Sequence, residues 1–363
     1  MHQGFALAGF CAPRHFFVVP SNFRPFCANE LYMGRPRRCI ISKSFYEICF
    51  RTPHGLPFVA TEYMRLIISG ILARVQRDSK VSLCHFILMA NHAHILIFSQ
   101  DSAQCAQFHG EIKKQLSDAL KALLGLPHLS LWPSNGSSII PIPTLSDAIA
   151  RIAYIYANPA RANLVDSINH YPGLSSWNAF NSTEHFLSAT HSQTCPWIRF
   201  PAIPKLPTRA LTTSQDIAFT KALRQRASLS HDLTLHPNSW MEAFGISSPK
   251  EVAETNLRIK ELLTQYEQDA QKKRSDNSLR TLGATKLATA AIDLTYRTLA
   301  DARKIYICAS DPELRKRLLA EYKRFCERCS YCYERWKIGD YSVEWPPGAY
   351  LPPIPQRINW LVD

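Results

Sequence analysis

The segment "FILMANHAHILIF", residues 86–98, constrains the fold more than any other stretch of this chain. Its apolar residues lack the three-to-four spacing of an amphipathic helix. With the preceding "VSLC" it reads as buried β-structure, either two strands, "VSLCHFILMAN" and "HAHILIF", or one long bent strand. Side chains alternate faces along a strand, so His92 and His94 project to one side and Ala93 to the other. Two imidazoles on one face can share a metal ion, and a rigid strand positions such ligands well. The competing reading is a pair of core or surface histidines satisfied by hydrogen bonds. His85 lies an odd number of residues from His92, which on a regular strand places it on the opposite face in a structural role.

Charge narrows the partners. The 363 residues carry a formal net charge of +13 and 46% hydrophobic side chains, enough chain for two domains and enough apolar mass for a real core. A basic excess of this size points to an anionic partner, nucleic acid ahead of a membrane surface. No run reaches the roughly 18 apolar residues of a membrane helix, and "MHQGFALAGFCAPRHFF" is too short and interrupted for a signal peptide, so a cytoplasmic, nucleoid-associated protein is expected. The 11 cysteines are scattered and odd in number, as suits reduced thiols. Only "CERCSYC" clusters, and Cys326, Cys329 and Cys332 recur along a helix face as small buried side chains rather than as a zinc knuckle.

Residues 1–40 read as an irregular basic arm ending in "GRPRR". "KSFYEICFRT" alternates as a strand, "ATEYMRLIISGILARVQRD" has helical spacing, and after the histidine strands "SAQCAQFHGEIKKQLSDALKALLG" is an amphipathic helix, an order of βαββα. On that last helix Glu111, Lys113, Lys114 and Gln115 either approach a nucleic acid or an ion, or line a solvated face. A Ser, Pro and Gly-rich loop leads to "LSDAIARIAYIYANPARANLV", where Ser146 is the expected N-cap, Asp147 favours the first turn and Asn158-Pro159 marks the end. At about 100° per residue, Ile149, Ile152, Ala153 and Tyr156 form the apolar stripe. Tyr154 falls elsewhere, with Arg151 at i−3, Asn158 at i+4 and, if the turn continues past the proline, Arg161 at i+7. That face is polar and basic, suited to a phosphate backbone, and its tyrosine is an available nucleophile.

"MANHAHILI" resembles the histidine–hydrophobic–histidine motif of the single-tyrosine HUH transposases, and "AYIYANPARANLV" followed by "YPGLSSW" resembles the catalytic-tyrosine helix of their REP-associated branch. The resemblance spans residues 35–180. It implies an α+β fold, a ferredoxin-like antiparallel sheet with packed helices, as the HUH endonuclease domain over residues 41–180. It implies a divalent ion, Mg2+ or Mn2+, on His92 and His94, with Asn158 completing the coordination and Tyr154 as nucleophile. The implied activity is metal-dependent cleavage of single-stranded, hairpin-forming DNA and strand transfer through a 5′-phosphotyrosine. The alternative within the same fold is a catalytically silent regulator that binds DNA hairpins. Arg151, Arg161, Lys113 and Lys114 are the expected DNA contacts, no membrane is involved, and the protein acts as a monomer or homodimer.

Beyond residue 180 the character changes. Residues 181–245, with "HSQTCPWIRFPAIPKLPTR", read as a proline-containing linker region wrapped on the surface, and 246–363 as a basic, mainly helical C-terminal region with an extended tail. The runs "QKKR", "RTLGATK" and "LRKRLLAEYKR" either bind phosphates or are ordinary solvated helix surface, and no helix-turn-helix signature decides between them.

Overall fold

The apolar run divides at Ala90 and Asn91 into the two arms of a tight antiparallel hairpin. The computed structural model describes residues 38–354 except 53, 80, 100, 133–136, 209 and 298–304. Its first half contains β1 (Ser44–Arg51), β2 (His54–Leu56), α1 (Glu62–Ser79), β3 (Ser82–Met89), β4 (His92–Ser99), α2 (Ser102–Leu124), β5 (Ser137–Pro141), α3 (Leu145–Arg161) and α4 (Trp177–Asn181). The second contains β6 (His191–Trp197), α5 (Thr213–Gln225), β7 (Leu229–Leu235), α6 (Pro249–Asp276), α7 (Ala284–Ala288), β8 (Asp293–Arg297) and α8 (Pro312–Lys337).

Six strands form one sheet in the order β5-β1-β4-β3-β7-β6, and β2 pairs with β8 separately. The four strands β5-β1-β4-β3 are antiparallel throughout, with α1 and α2 on one face, so the ferredoxin-like α+β layering expected from the sequence is present. β7 departs from it by joining β3 in parallel, at Leu83 and Leu235. Parity along the strands assigns the layers. Tyr46, Ile48, Phe50, Ala93, Ile95 and Ile97 pack under α1 and α2, whereas Phe45, Leu96 and Phe98 pack under α3 and α6. Both faces of β4 are thereby covered, and all eight of its residues are buried, the two histidines and Ser99 included.

Residues 181–245 are not a surface linker. β6 and β7 extend the sheet, and Cys195, Leu233 and Leu235 join the core beneath α1. The alternation in "LSHDLTL" is the period-two signal of β7, and β6 tolerates Pro196 because it is the edge strand. The helical region that follows is equally committed. α6 opens with a capping box from Ser248 and Glu251 and lays Val252, Ile259 and Leu263 against α3. Trp240, fully buried between β7 and α6, stacks on Phe45 of β1 at 5.1 Å. The expected N-terminal arm, 1–40, lies outside the described residues except for 38–40, where Ile40 is buried and donates its N–H to the Gly348 carbonyl at 3.0 Å. Likewise 355–363 of the expected tail lie outside them. No helix among the described residues is long and apolar enough to cross a membrane.

Gly70 tests this seating of the edge strands. It lies inside α1, where alanine ordinarily stabilises a helix by about 1 kcal/mol. Here an added Cβ would strike the Pro196 carbonyl oxygen of β6. Gly70→Ala is therefore expected to destabilise the protein by about 1–3 kcal/mol, the cost of overpacking, read from denaturant unfolding. A stabilised variant would show that β6 does not seat there.

Candidate active site

The position that organises the site is Glu47 on β1, which has no exposed surface. It shares a face with the histidines because Cys49, two residues on, pairs with His94 across β4. A buried carboxylate must be paired. Glu47 accepts from His94 Nδ1 at 2.6 Å and from Arg151 Nε and Nη2 at 2.8 and 2.6 Å. Burial pushes the Glu47 carboxyl up, but the Arg151 guanidinium and the His94 hydrogen bond outweigh it and hold it at about 2. His94 moves the opposite way: burial lowers it, and Cys49 and Glu47 together raise it to about 9.

α3 delivers Tyr154 to this cluster. Thr144, rather than Ser146, is its N-cap, accepting from the Asp147 N–H at 3.1 Å. The helix also does not stop at Asn158. It runs through Pro159 to Arg161, forfeiting the backbone bond that proline cannot donate, and Arg274 of α6 donates to the Ala160 carbonyl at 2.8 Å near its end. That extra turn brings Arg161 back beside Tyr154. The Arg161 and Arg151 guanidinium carbons stand 5.0 and 4.6 Å from the tyrosine ring centre, and the His94 ring is perpendicular to it at 6.4 Å. Burial raises the Tyr154 phenol above its ordinary value, against the lowering effect of the two arginines. The resting tyrosine is a neutral phenol.

The donors available to an ion can be read from the hydrogen bonds. His94 spends Nδ1 on Glu47 and His92 pairs Nδ1 with Asn91 Oδ1 at 2.8 Å, so in each ring the ligating nitrogen would be Nε2, in the carboxylate–histidine or amide–histidine pattern that orients metal ligands. Burial, followed by the neighbouring His94 and two arginines, holds His92 well below its ordinary value and therefore neutral. Asn158, one helical turn beyond Tyr154, is buried, and its Nδ2 has no hydrogen-bond partner among the described residues. Since amide oxygen and nitrogen can be interchanged, this is unspent donor capacity at the position the sequence marked. No group of three or more His, Cys, Asp or Glu that could hold a metal occurs among the described residues, so a third protein donor beside the two histidines would have to be of another type, as the Asn158 amide is. Two imidazoles and an amide would leave a divalent ion open positions for water or phosphate.

The structure thus brings together His92, His94, Tyr154, Arg151 and Arg161, with Asn158 a turn away. It separates Lys113 and Lys114 from them, because α2 packs on the opposite face of the sheet. Lys113 reaches the Trp132 ring, and Lys114 is exposed beside Glu111 at 3.8 Å. Arg151 is not the solvent-facing phosphate contact the helical projection suggested: it is 8% exposed and turned inward onto Glu47. His85 also moves. Strand parity does not carry through the hairpin turn: the register is unbroken from Met89 opposite His92 to His85 opposite Leu96, so His85 lies on the face of His92 and His94 after all. Its role is nonetheless structural, with Nδ1 2.9 Å from the Tyr156 hydroxyl, which in turn lies 2.8 Å from Ser176 Oγ. Glu47 and Tyr266 are the residues sequence reasoning missed. Glu47 had a signal, a lone acid on an otherwise apolar strand. Tyr266, 6.0 Å from Arg161, had none, because α6 is distant in sequence.

No family model matches the chain, and no curated protein matches it. Among solved structures, a REP-associated tyrosine transposase bound to a REP hairpin is similar over 41% of this chain and 86% of its own, at 18% identity and a TM-score of 0.35. At that score the similarity carries no functional weight, and the chemistry rests on the side chains.

Glu47→Gln is expected to cost about 3–5 kcal/mol by leaving Arg151 uncompensated in the interior. The pH profile is the sharper measurement. Glu47, lowered to about 2, contributes stability that is complete above the ordinary carboxylate range and lost as pH falls through about 2. His94, raised to about 9, contributes stability that is complete below the ordinary imidazole range and lost as pH rises through about 9. In metal-free protein the glutamine variant should lose the acid limb and weaken the alkaline one, which Cys49 also supports; denaturation curves with unaltered pH dependence would refute the pairing.

Proposed function

We propose that this chain is an HUH-type nuclease and strand transferase acting on single-stranded, hairpin-forming DNA through Tyr154. The observation that carries the reading is the meeting of Tyr154 of α3 with His94 of β4 under two guanidinium groups. A tyrosine placed against a histidine pair and cations is set up to attack a phosphodiester, since the phosphate's negative charge is met by Arg161 and the site's net positive field. Tyr154 Oη forms a bond to phosphorus, the P–O3′ bond breaks, the phenolic proton leaves, and the departing 3′ oxygen takes one up. The products are a 5′-phosphotyrosine and a free 3′-OH, and the same ester conserved on the enzyme is open to attack by another 3′-OH. His92, His94 and Asn158 would hold a divalent ion, whose contribution would be polarisation of a non-bridging phosphate oxygen. Arg151 acts differently from Arg161: tied to Glu47, it braces the ring of Tyr154 and keeps positive charge beside the phenol.

Incubation with a single-stranded hairpin oligonucleotide and Mn2+ should give a covalent adduct on a denaturing gel. Tyr154→Phe should abolish the adduct and retain DNA binding. Tyr156→Phe should retain it at a stability cost of about 1–3 kcal/mol, because His85 and Ser176 lose their shared partner in the core. Adduct on the Tyr154 variant would refute the nucleophile, and none on the wild type would leave the silent hairpin-binding reading.

Metal dependence is tested separately. EDTA, or His92→Ala with His94→Ala, should remove cleavage and leave most electrostatic binding, with Mg2+ or Mn2+ restoring only the chelated wild type. Cleavage at the original rate in metal-free buffer would return both histidines to a structural role.

A further inference from the structure

The last long helix, α8, is built differently from the others. Of its 26 residues only Cys326, Cys329 and Cys332 are buried, and they mark a single inward stripe. The opposite side carries Lys316 and Arg317, then Lys323 and Arg324 one heptad later, then Tyr331 one heptad beyond Arg324. All five are exposed, Tyr331 at 54%. Arg317, Arg324 and Tyr331 drift by only about 20° per heptad, so they line one stripe roughly 20 Å long. The four cations make no ion pair with a described residue, although α8 contains four glutamates beside its eight Lys or Arg. Arg328 stands 5.2 Å over the Tyr331 ring and donates to the Glu344 carbonyl at 3.3 Å, which steadies the ring in its exposed position.

We propose that this face of α8 is a second nucleic-acid contact, which holds single-stranded DNA away from the Tyr154 centre, its phosphates on the two basic pairs and a base stacked on Tyr331. An acidic protein surface would satisfy the cations and leave the tyrosine unused, and a membrane would call for aliphatic residues on the same stripe. Cations followed by an exposed aromatic ring match a chain that alternates phosphate and base. The proposal shares with the reading above only its choice of nucleic acid as partner, and it makes no demand on cleavage.

The test measures binding of a fluorescent oligothymidine to the full chain across a salt series. Replacing Lys316, Arg317, Lys323 and Arg324 together by Ala should weaken binding and flatten the slope of log affinity on log salt by about 3, at about 0.7 per lost phosphate contact. Tyr331→Ala should weaken binding by about tenfold with the slope unchanged, as loss of one stacked base requires. The paired variants Lys316→Ala/Arg317→Ala and Lys323→Ala/Arg324→Ala should each give about half the slope change, and circular dichroism verifies that each is folded. Adduct formation at saturating hairpin should persist in all of them, so failure of the Tyr154 chemistry and failure of the α8 surface give different results. A slope unaltered in the folded variants overturns the proposal. So does a blunt duplex that competes as well as the single strand, or tighter binding to phosphatidylserine vesicles than to the oligonucleotide.

Discussion

Glu47 is a charge placed where charges are expensive, and the geometry of the site follows from how it is neutralised. Stripping a carboxylate of water costs several kcal/mol, recovered only if every oxygen is well bonded. Three short hydrogen bonds from two elements do that: one from His94 on the neighbouring strand and two from Arg151 on the helix above. Apolar side chains in place of the whole Glu47–His94–Arg151 cluster could fill the same volume without loss of stability, but they would not set how α3 sits on the sheet. The forked guanidinium bond admits few placements of the helix, and the placement it selects puts Tyr154 one turn from Arg151 and over His94.

The surroundings extend that constraint. α3 is held from both ends, by Thr144 at its start and by Arg274 near its close, where Arg274 also pairs with Asp166 at 2.5 Å. The turn beyond Pro159 adds Arg161 to the tyrosine, and α6 behind it adds Tyr266. A site mounted on a central strand and a helix pinned to it needs little rearrangement to present its phenol, which is what the proposed in-line attack on a phosphodiester would demand. The second half of the chain is therefore part of the machinery's frame: α6 covers the outer side of α3, and β7 widens the sheet that carries the histidines.

Charge is distributed unequally across this frame. At the centre, the Arg151 positive charge is cancelled by Glu47 and the histidines have opposite tendencies, His92 neutral and His94 cationic in the absence of a competing ion. At the periphery Lys316, Arg317, Lys323 and Arg324 of α8 form no ion pair with a described residue. Buried charge positions groups, whereas exposed charge attracts a polyanion, and the two tasks fall to different elements.

How much of this was legible from the residues depended on whether the signal was local. Alternation in "HAHILIF" and the helical phase of "AIARIAYIYANPAR" are set by neighbours two to four positions apart, so the strand, the shared face of His92 and His94, and the separation of Tyr154 from the core residue Tyr156 could all be read directly. The same locality misled where a long-range contact intervened. Arg151 looked like a surface cation until Glu47, over a hundred residues away, drew it inward; His85 was assigned the wrong face because parity was counted through a hairpin turn; and β6 looked like linker because an edge strand shows its pattern only once its partner is known. Sequence by itself determined which side chains each element offers and in what phase, because backbone geometry repeats every two or 3.6 residues. Tertiary structure alone decided which of them meet, because a buried charge and its partner are matched through space, and nothing in the spacing of either one names the other.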